Sequence, residues 1–297
     1  MSTDGQSRPK PSWFQEHVES INPDAQRVLE SYSGMKPEEV IPHVVSVRNE
    51  AFEVYQYACI GQMRFLSFNL QHLPFYPQVL EHLRHDPTAG FLDAGCCFAQ
   101  ELRYLADQGI PSTQLYGCDL EQIFISLGYQ LFRDEDRFQA TFAAGDLATE
   151  NDQEFEAGEI AQKLRGRISV VFASSLFHMW NYQTQLRVAT RLVRLCRDDQ
   201  QQQQQQGKGT IIAGRQMGSI LAGEHAMTGM VKDPTATHYR HNVESIKGFW
   251  YDVGVATNTR WRVEAGLYMA EEIEQNRHAP FADENLRMLW WCATRVD

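Results

Sequence analysis

From Phe91 onward, short apolar runs alternate with helix-like segments, and this rhythm leaves few architectures open. The runs are Phe91–Ala94, Gln114–Cys118, Ala140–Gly145, Ile168–Ala173 and Thr210–Gly214. Between the first two, Leu102, Leu105 and Ala106 follow helical spacing, and Gly109 suits a C-terminal stop. Ile123–Phe132 is helix-like after the second run, and Leu186, Ala189, Val193 and Cys196 form an apolar stripe after the fourth. Strands that alternate with helices pair in parallel through right-handed crossovers, so an open α/β sheet is expected.

Acids mark the strand ends. Asp93, Asp119 and Asp146 sit at or just beyond successive apolar runs, 26 and 27 residues apart. In such sheets ligands bind outside the carboxyl ends of the strands, where the winding reverses. Three carboxylates on one edge are therefore candidates for one polar ligand.

In Phe91-Leu-Asp-Ala-Gly-Cys-Cys-Phe-Ala-Gln100, Gly95 lets the backbone turn sharply and approach a ligand. Against the dinucleotide pattern G-x-G-x-x-G, Cys97 and Gln100 replace the second and third glycines, so a ligand without phosphates fits better. A purely structural turn stays open. In Tyr116-Gly-Cys-Asp-Leu120, Asp119 can accept from two ribose hydroxyls or cap the following helix. In Ala144-Gly-Asp-Leu147, Asp146 can accept from an adenine amino group while Leu147 packs on the base.

Beyond these motifs, Val243–Ala256 is helix-like, and Arg260–Met269 and Met288–Arg295 are strand-like. Two late strands this close suggest a closing antiparallel pair, where a nicotinamide dehydrogenase half would add another βαβ unit. FLDAGCC, LYGCDL and AAGDL in this order resemble the three cofactor motifs of class I S-adenosylmethionine-dependent methyltransferases. The flanking INPDAQRVLESYSGMKPEEVIPHVVSVRNEAF, CIGQMRFL, VFASSLFHMW, IAGRQMGS and HNVESIKGFW narrow the likeness to fungal secondary-metabolite methyltransferases, including meroterpenoid-cluster enzymes that esterify a carboxylic acid.

The resemblance implies a Rossmann-like, mostly parallel sheet with an antiparallel last strand and helices on both faces. It also implies S-adenosyl-L-methionine as cofactor, surrounded by Asp93, Gly95, Cys96, Asp119, Leu120, Asp146, Leu147 and Ser174. The corresponding division of the chain is a disordered tail at 1–12, a helical cap at 13–88 contributing to the acceptor pocket, and a methyltransferase domain at 89–297. The cap reads as helical and aromatic-rich, divided by Pro23, Pro37 and Pro42. Its aromatics are expected mainly in the core. The glutamine run within 198–209 departs from the family and reads as a low-complexity surface loop.

Ser174-Ser-Leu-Phe-His-Met-Trp180 follows the fourth strand, where donor and acceptor would meet. His178 is the candidate catalytic residue, and His178, Trp180, Arg215 and Arg240 are candidates for the acceptor side. Each has a structural alternative: wall, core, ion pair, and an exposed His238-Tyr-Arg-His241 cluster instead of a lid. A carboxylic acid is already ionised at neutral pH, so its methylation needs positioning without a base. A phenol would need His178 as general base. A non-methylating cyclase or cofactor-binding scaffold remains a further alternative.

Composition trims the rest. With 27 basic and 38 acidic residues, the net charge of −11 argues against nucleic acid and anionic lipid as partners. No run approaches the roughly 20 apolar residues of a membrane span, and the polar start lacks a signal-peptide core. The six scattered cysteines lack metal-ligand spacing and read as reduced thiols, so a cytoplasmic enzyme without a metal is expected. The expected partner is a small-molecule acceptor; a homodimer stays open.

Overall fold

The computed structural model describes residues 10–11, 13–198, 209–231, 233 and 235–297. The expected tail at 1–12 and the glutamine loop at 198–209 lie almost wholly outside them. Helices α1 (Pro23–Ser31) and α2 (Pro37–Val54) open on prolines, whose missing N–H costs nothing at a first helical position. Pro42 departs from expectation, because it lies inside α2 instead of ending a helix. Val40, Val44, Val47 and Ala51 form one buried stripe running past it, and that burial outweighs the single backbone bond the proline lacks. Helix α3 (Ala58–Gly61), 3-10 turns at Arg64–Leu66 and Asn69–His72, and α4 (Tyr76–His85) follow.

Strand β1 (Gly90–Ala94), α5 (Gln100–Asp107), β2 (Leu115–Asp119), α6 (Gln122–Phe132) and β3 (Thr141–Ala144) form the first half of the sheet. Helices α7 (Asp152–Ala157) and α8 (Glu159–Leu164) lead to β4 (Ile168–Ser174), α9 (Tyr182–Leu195) and β5 (Ile211–Ser219). A hairpin of β6 (Gly223–Ala226) and β7 (Thr237–Arg240) precedes α10 (Val243–Thr257), β8 (Trp261–Tyr268), α11 (Glu271–Gln275) and β9 (Leu286–Arg295).

The strand order is β3-β2-β1-β4-β5-β9-β8. The first five strands pair in parallel, and β9 runs antiparallel to both β5 and β8. This is the Rossmann-like sheet that the motifs led us to expect, late antiparallel strand included. Winding reverses at β1, which has β2 and β3 on one side and β4 and β5 on the other. A ligand crevice is therefore expected at the carboxyl ends of β1 and β4.

Ile160, Val188, Leu192, Phe249 and Trp291 belong to one apolar cluster against the sheet, and Leu83, Phe91, Leu102, Ile125 and Phe172 to a second. A third joins α1 and α2 to α6 through Val28, Val44, Phe52, Phe98, Phe124 and Leu131. Polar ties reinforce this junction. Arg103 grips Asp134 through two bonds of 3.0 and 3.1 Å, both side chains fully buried, and the Tyr32 hydroxyl donates to the same carboxylate at 2.9 Å. Among the described residues, no helix is long and apolar enough to cross a membrane.

Candidate active site

The turn after β1 is built from left-handed residues. Gly95 has φ +75°, and a Cβ there would lie 2.9 Å from Leu176 Cδ1. Cys97 (φ 50°) and Ala99 (φ 53°) take the same conformation with side chains, which stores strain on the order of 1–3 kcal/mol each. The turn is held to β2: the N–H groups of Gly95 and Cys96 donate to Cys118 O at 2.8 and 3.0 Å. A Cβ on Gly117 would lie 2.6 Å from the Phe142 ring and 3.1 Å from Cys96 Sγ, so the β2 backbone must stay bare beneath the turn.

Asp93 is buried on β1, and its Oδ2 has no hydrogen-bond partner. Burial, then the neighbouring charges of Glu101 and Asp119, push its pKa well above the carboxylate range. Asp119 ends β2, accepting from Cys97 N at 2.8 Å and Glu121 N at 3.1 Å. Helix capping by Asp119 is not what the structure contains: its bond to Glu121 N makes a turn first, and the N-cap position of α6 is Glu121, whose side chain makes no capping bond. Burial raises the Asp119 pKa against the pull of those amides. Leu120 beside it is 57% exposed. Asp146 is exposed just beyond β3 and accepts from Ala148 N at 2.7 Å, while Leu147 is buried. The three acids thus stand in order along the carboxyl edge of β1, β2 and β3.

Beyond the carboxyl end of β1, Ser174 ends the neighbouring β4 in register with Arg215 of β5. The left-handed Ser175 (φ 54°) donates its N–H to Arg215 O at 2.6 Å, which swings the chain into the 3-10 turn Phe177–Met179. His178 in that turn is 8% exposed, and its Nδ1 has no partner. Burial, followed by His238, Arg215, Arg240 and Arg64, pulls its pKa down to about 3. It is a neutral imidazole in cationic surroundings.

Arg215 is almost fully buried, ion-paired with Glu272 of α11 and 3.2 Å from the Tyr268 hydroxyl. Burial works to lower its pKa, but Glu272 and Tyr268 hold it above the ordinary value. Arg240 bonds Asp283 at 3.2 Å and Phe281 O at 2.7 Å. The exposed alternative for His238–His241 is overturned: His238, Arg240 and His241 are fully buried because β7 is sewn under the His178 turn. His238 Nδ1 lies 2.6 Å from His178 O, and Tyr239 N donates to Trp180 O at 2.9 Å. Trp180 itself is partly buried, edge-on to Phe177 at 6.4 Å.

Three participants escaped the sequence reading. Glu101 of α5 is buried and accepts from Asn69 N at 2.7 Å and Leu70 N at 3.3 Å; burial pushes it up to about 7. Glu272 lies in a segment with no motif, and Arg64 lies in the flanking CIGQMRFL, which gave no role for it. Only folding brings residues 64, 178, 215 and 272 into one electrostatic neighbourhood.

An orphaned Asp93 oxygen, a turn that a Cβ at Gly95 would fill, and an acid on β2 fit a cofactor carrying an ammonium and a ribose. Comparison with known proteins agrees. Residues 13–66 match the family described as Meroterpenoid methyltransferase N-terminal domain. The O-methyltransferase phiE, from a fungal species, is 38% identical over 85% of this chain and 78% of its own length. The O-methyltransferase atr3 of Stereocaulon alpinum is 34% identical over 86% and 68%, respectively. The methyltransferase adrK of Penicillium roqueforti is 30% identical over 85% and 84%. The chain belongs with them: it is a class I S-adenosylmethionine-dependent methyltransferase, of the fungal secondary-metabolite O-methyltransferases acting on small-molecule acceptors.

Proposed function

We propose that the protein methylates the carboxylate of a small acid, forming a methyl ester on a polyketide or terpenoid skeleton. The observation that carries this reading is His178. An imidazole with a pKa of about 3 is too weak a base to take a proton from a phenol near pKa 10. A carboxylate needs no deprotonation at neutral pH, and it suits a site where Arg64, Arg215 and Arg240 all act on the same imidazole.

S-adenosylmethionine, when bound, supplies a methyl group on a positively charged sulfur. Asp93, Gly95, Cys96, Asp119, Leu120, Asp146, Leu147 and Ser174 are the residues assigned to hold it. His178, Trp180, Arg215 and Arg240 orient the acceptor and keep water out. The helical segment at 13–88 closes the pocket from above. Holding the reacting atoms in line accounts for roughly 7–11 kcal/mol of barrier lowering without acid–base help. Six free thiols agree with a cytosolic setting.

The test uses methyl-labelled cofactor with aromatic and terpenoid acids that also carry a phenol. Esters release labelled methanol in alkali and aryl ethers do not. Label that survives alkaline hydrolysis would refute ester formation.

A further inference from the structure

Among the described residues, the Arg64 guanidinium has no fixed partner. Each of the other arginines acting on His178 is committed: Arg215 to Glu272 and Tyr268, Arg240 to Asp283, Phe281 O and His238. Among the described residues, the Arg64 side chain has neither a hydrogen bond nor an ion pair, although it is only partly exposed. Burial accordingly lowers its pKa, with the Glu272 charge opposing and that of Arg215 adding to the effect. An unpaired cation held partly out of water is costly unless something supplies the missing anion.

Its backbone is fixed beside the cofactor turn. Met63 before it is left-handed (φ 59°) and buried, which turns the chain sharply into the Arg64–Leu66 segment. Phe65 after it meets Phe98 edge-on at 4.6 Å, and Phe98 belongs to the turn following β1. The charge of Arg64 acts on His178, Arg215, Glu272 and Cys59; Asp93 responds to Glu101 and Asp119 instead. Arg64 therefore addresses the His178 side of the crevice more than the Asp93 side. Five N–H donors in a planar fork match a carboxylate in two parallel bonds, which a lysine cannot reproduce.

We propose that Arg64 receives the acceptor's carboxylate, so that the N-terminal segment, not the sheet, selects acids over neutral molecules. This rests on the ester reading above. The ligand chemistry is a carboxylate, and the cofactor's methionyl group also carries one; the neighbours of Arg64 favour the acceptor, and the experiment separates the two.

The full-length protein saturated with S-adenosylhomocysteine is titrated with benzoate as a minimal carboxylate, by calorimetry. Benzyl alcohol is the neutral control. Wild type is expected to bind benzoate and not benzyl alcohol. Arg64→Gln should weaken benzoate at least tenfold, and Arg64→Lys should restore only part of that loss. Affinities for S-adenosylhomocysteine and for methylthioadenosine, which lacks the carboxylate, should stay within twofold of wild type and thereby report an intact fold. The proposal is overturned if wild type fails to bind benzoate, or if Arg64→Gln binds it as wild type does. It is equally overturned if Arg64→Gln weakens S-adenosylhomocysteine but not methylthioadenosine, since the fork would then serve the cofactor. Alkali-stable product with benzoate binding intact sinks ester formation and leaves the carboxylate receptor standing; alkali-labile product with no Arg64 effect sinks the receptor alone.

Discussion

Arg240 donates its Nε–H to His238 Nε2 across 3.0 Å, and this bond decides which nitrogen of His238 carries the proton. Nε2 must accept, so Nδ1 is the protonated nitrogen and donates to the main-chain oxygen of His178 at 2.6 Å. The β6–β7 hairpin thereby sets the height of the His178 turn above the crevice. Replacing His238 by Ala leaves Arg240 Nε and His178 O without these partners. Urea titration should show a loss of about 1–3 kcal/mol. Acceptor kcat/KM should fall about tenfold while S-adenosylhomocysteine affinity holds. A variant that loses stability without any change in acceptor kinetics would show that His238 does not position the turn.

Acid should unfold the protein through its buried histidines. His178, His238 and His241 have folded pKa values of about 3, 4 and 3, below the unfolded value of 6.5, with burial the first cause in each. Between those limits the unfolded chain binds more protons, so stability is fully present above pH 6.5 and drains away as pH falls toward 4. Each histidine contributes a slope of about 1.4 kcal/mol per pH unit in that window. His241 can be removed with its polar partners retained, because glutamine can still reach Gln185 and Ser245, which now lie 3.1 and 3.0 Å from the ring. His241→Gln should reduce the stability–pH slope between pH 4.5 and 6.5 by about one proton, measured by urea midpoints across pH.

Glu101 predicts the opposite trend. Its folded pKa of about 7 lies above the unfolded carboxylate value, so its ionisation opposes folding increasingly as pH rises from about 4.5 through 7. Glu101→Gln retains an acceptor for the Asn69 and Leu70 amides. It should match wild type near pH 4.5 and gain on the order of 3 kcal/mol above pH 7.5. Melting curves at the two pH values check this, and an equal shift at both would refute it.

Asp93 should display a conflict between binding and stability. Its orphaned, buried carboxyl is costly to the empty protein and useful only with a donor-bearing ligand opposite. Asp93→Asn is expected to melt at or above the wild-type temperature yet bind S-adenosylhomocysteine about 10²-fold more weakly. Calorimetry beside thermal melts gives both numbers. Unchanged affinity would remove Asp93 from the cofactor site.

The turn itself offers a paired test. Gly95→Ala forces a Cβ onto Leu176 at positive φ and should impair both folding and cofactor binding. Cys97→Gly relieves a left-handed side-chain residue and should be neutral or stabilising by about 1 kcal/mol. A Cys97→Gly variant as damaged as Gly95→Ala would mean the thiol itself is needed there.

Much of this arrangement is legible in the primary structure because parallel strands announce themselves locally. Each apolar run, its terminal acid and the helix after it are neighbours in sequence, which is why Asp93, Asp119 and Asp146 can be ordered on one edge from the sequence alone. Arg64 and Glu272 could not be found in that way: they meet His178 and Arg215 only through contacts between distant parts of the chain. Pro42 misled because a proline is a strong local stop signal, whereas the stripe from Val40 to Ala51 that overrides it acts through tertiary burial. The short strands β6 and β7 carry no alternation of apolar residues, and their histidines looked like surface. On β7, His238 and Arg240 are buried, and Arg240 is tied down by Asp283 and Phe281, some forty residues further on.

The placement of β9 bears on how the protein is made. It follows β8 in the chain yet lies between β5 and β8 in the sheet, hydrogen-bonded along nearly its whole length to both. Until β9 is made, β8 has no ladder to join, and β5 presents an open backbone edge. The sheet is therefore sealed only after every other strand has been made, and the unpaired β5 edge is where a partly made sheet is most open to pairing with another chain.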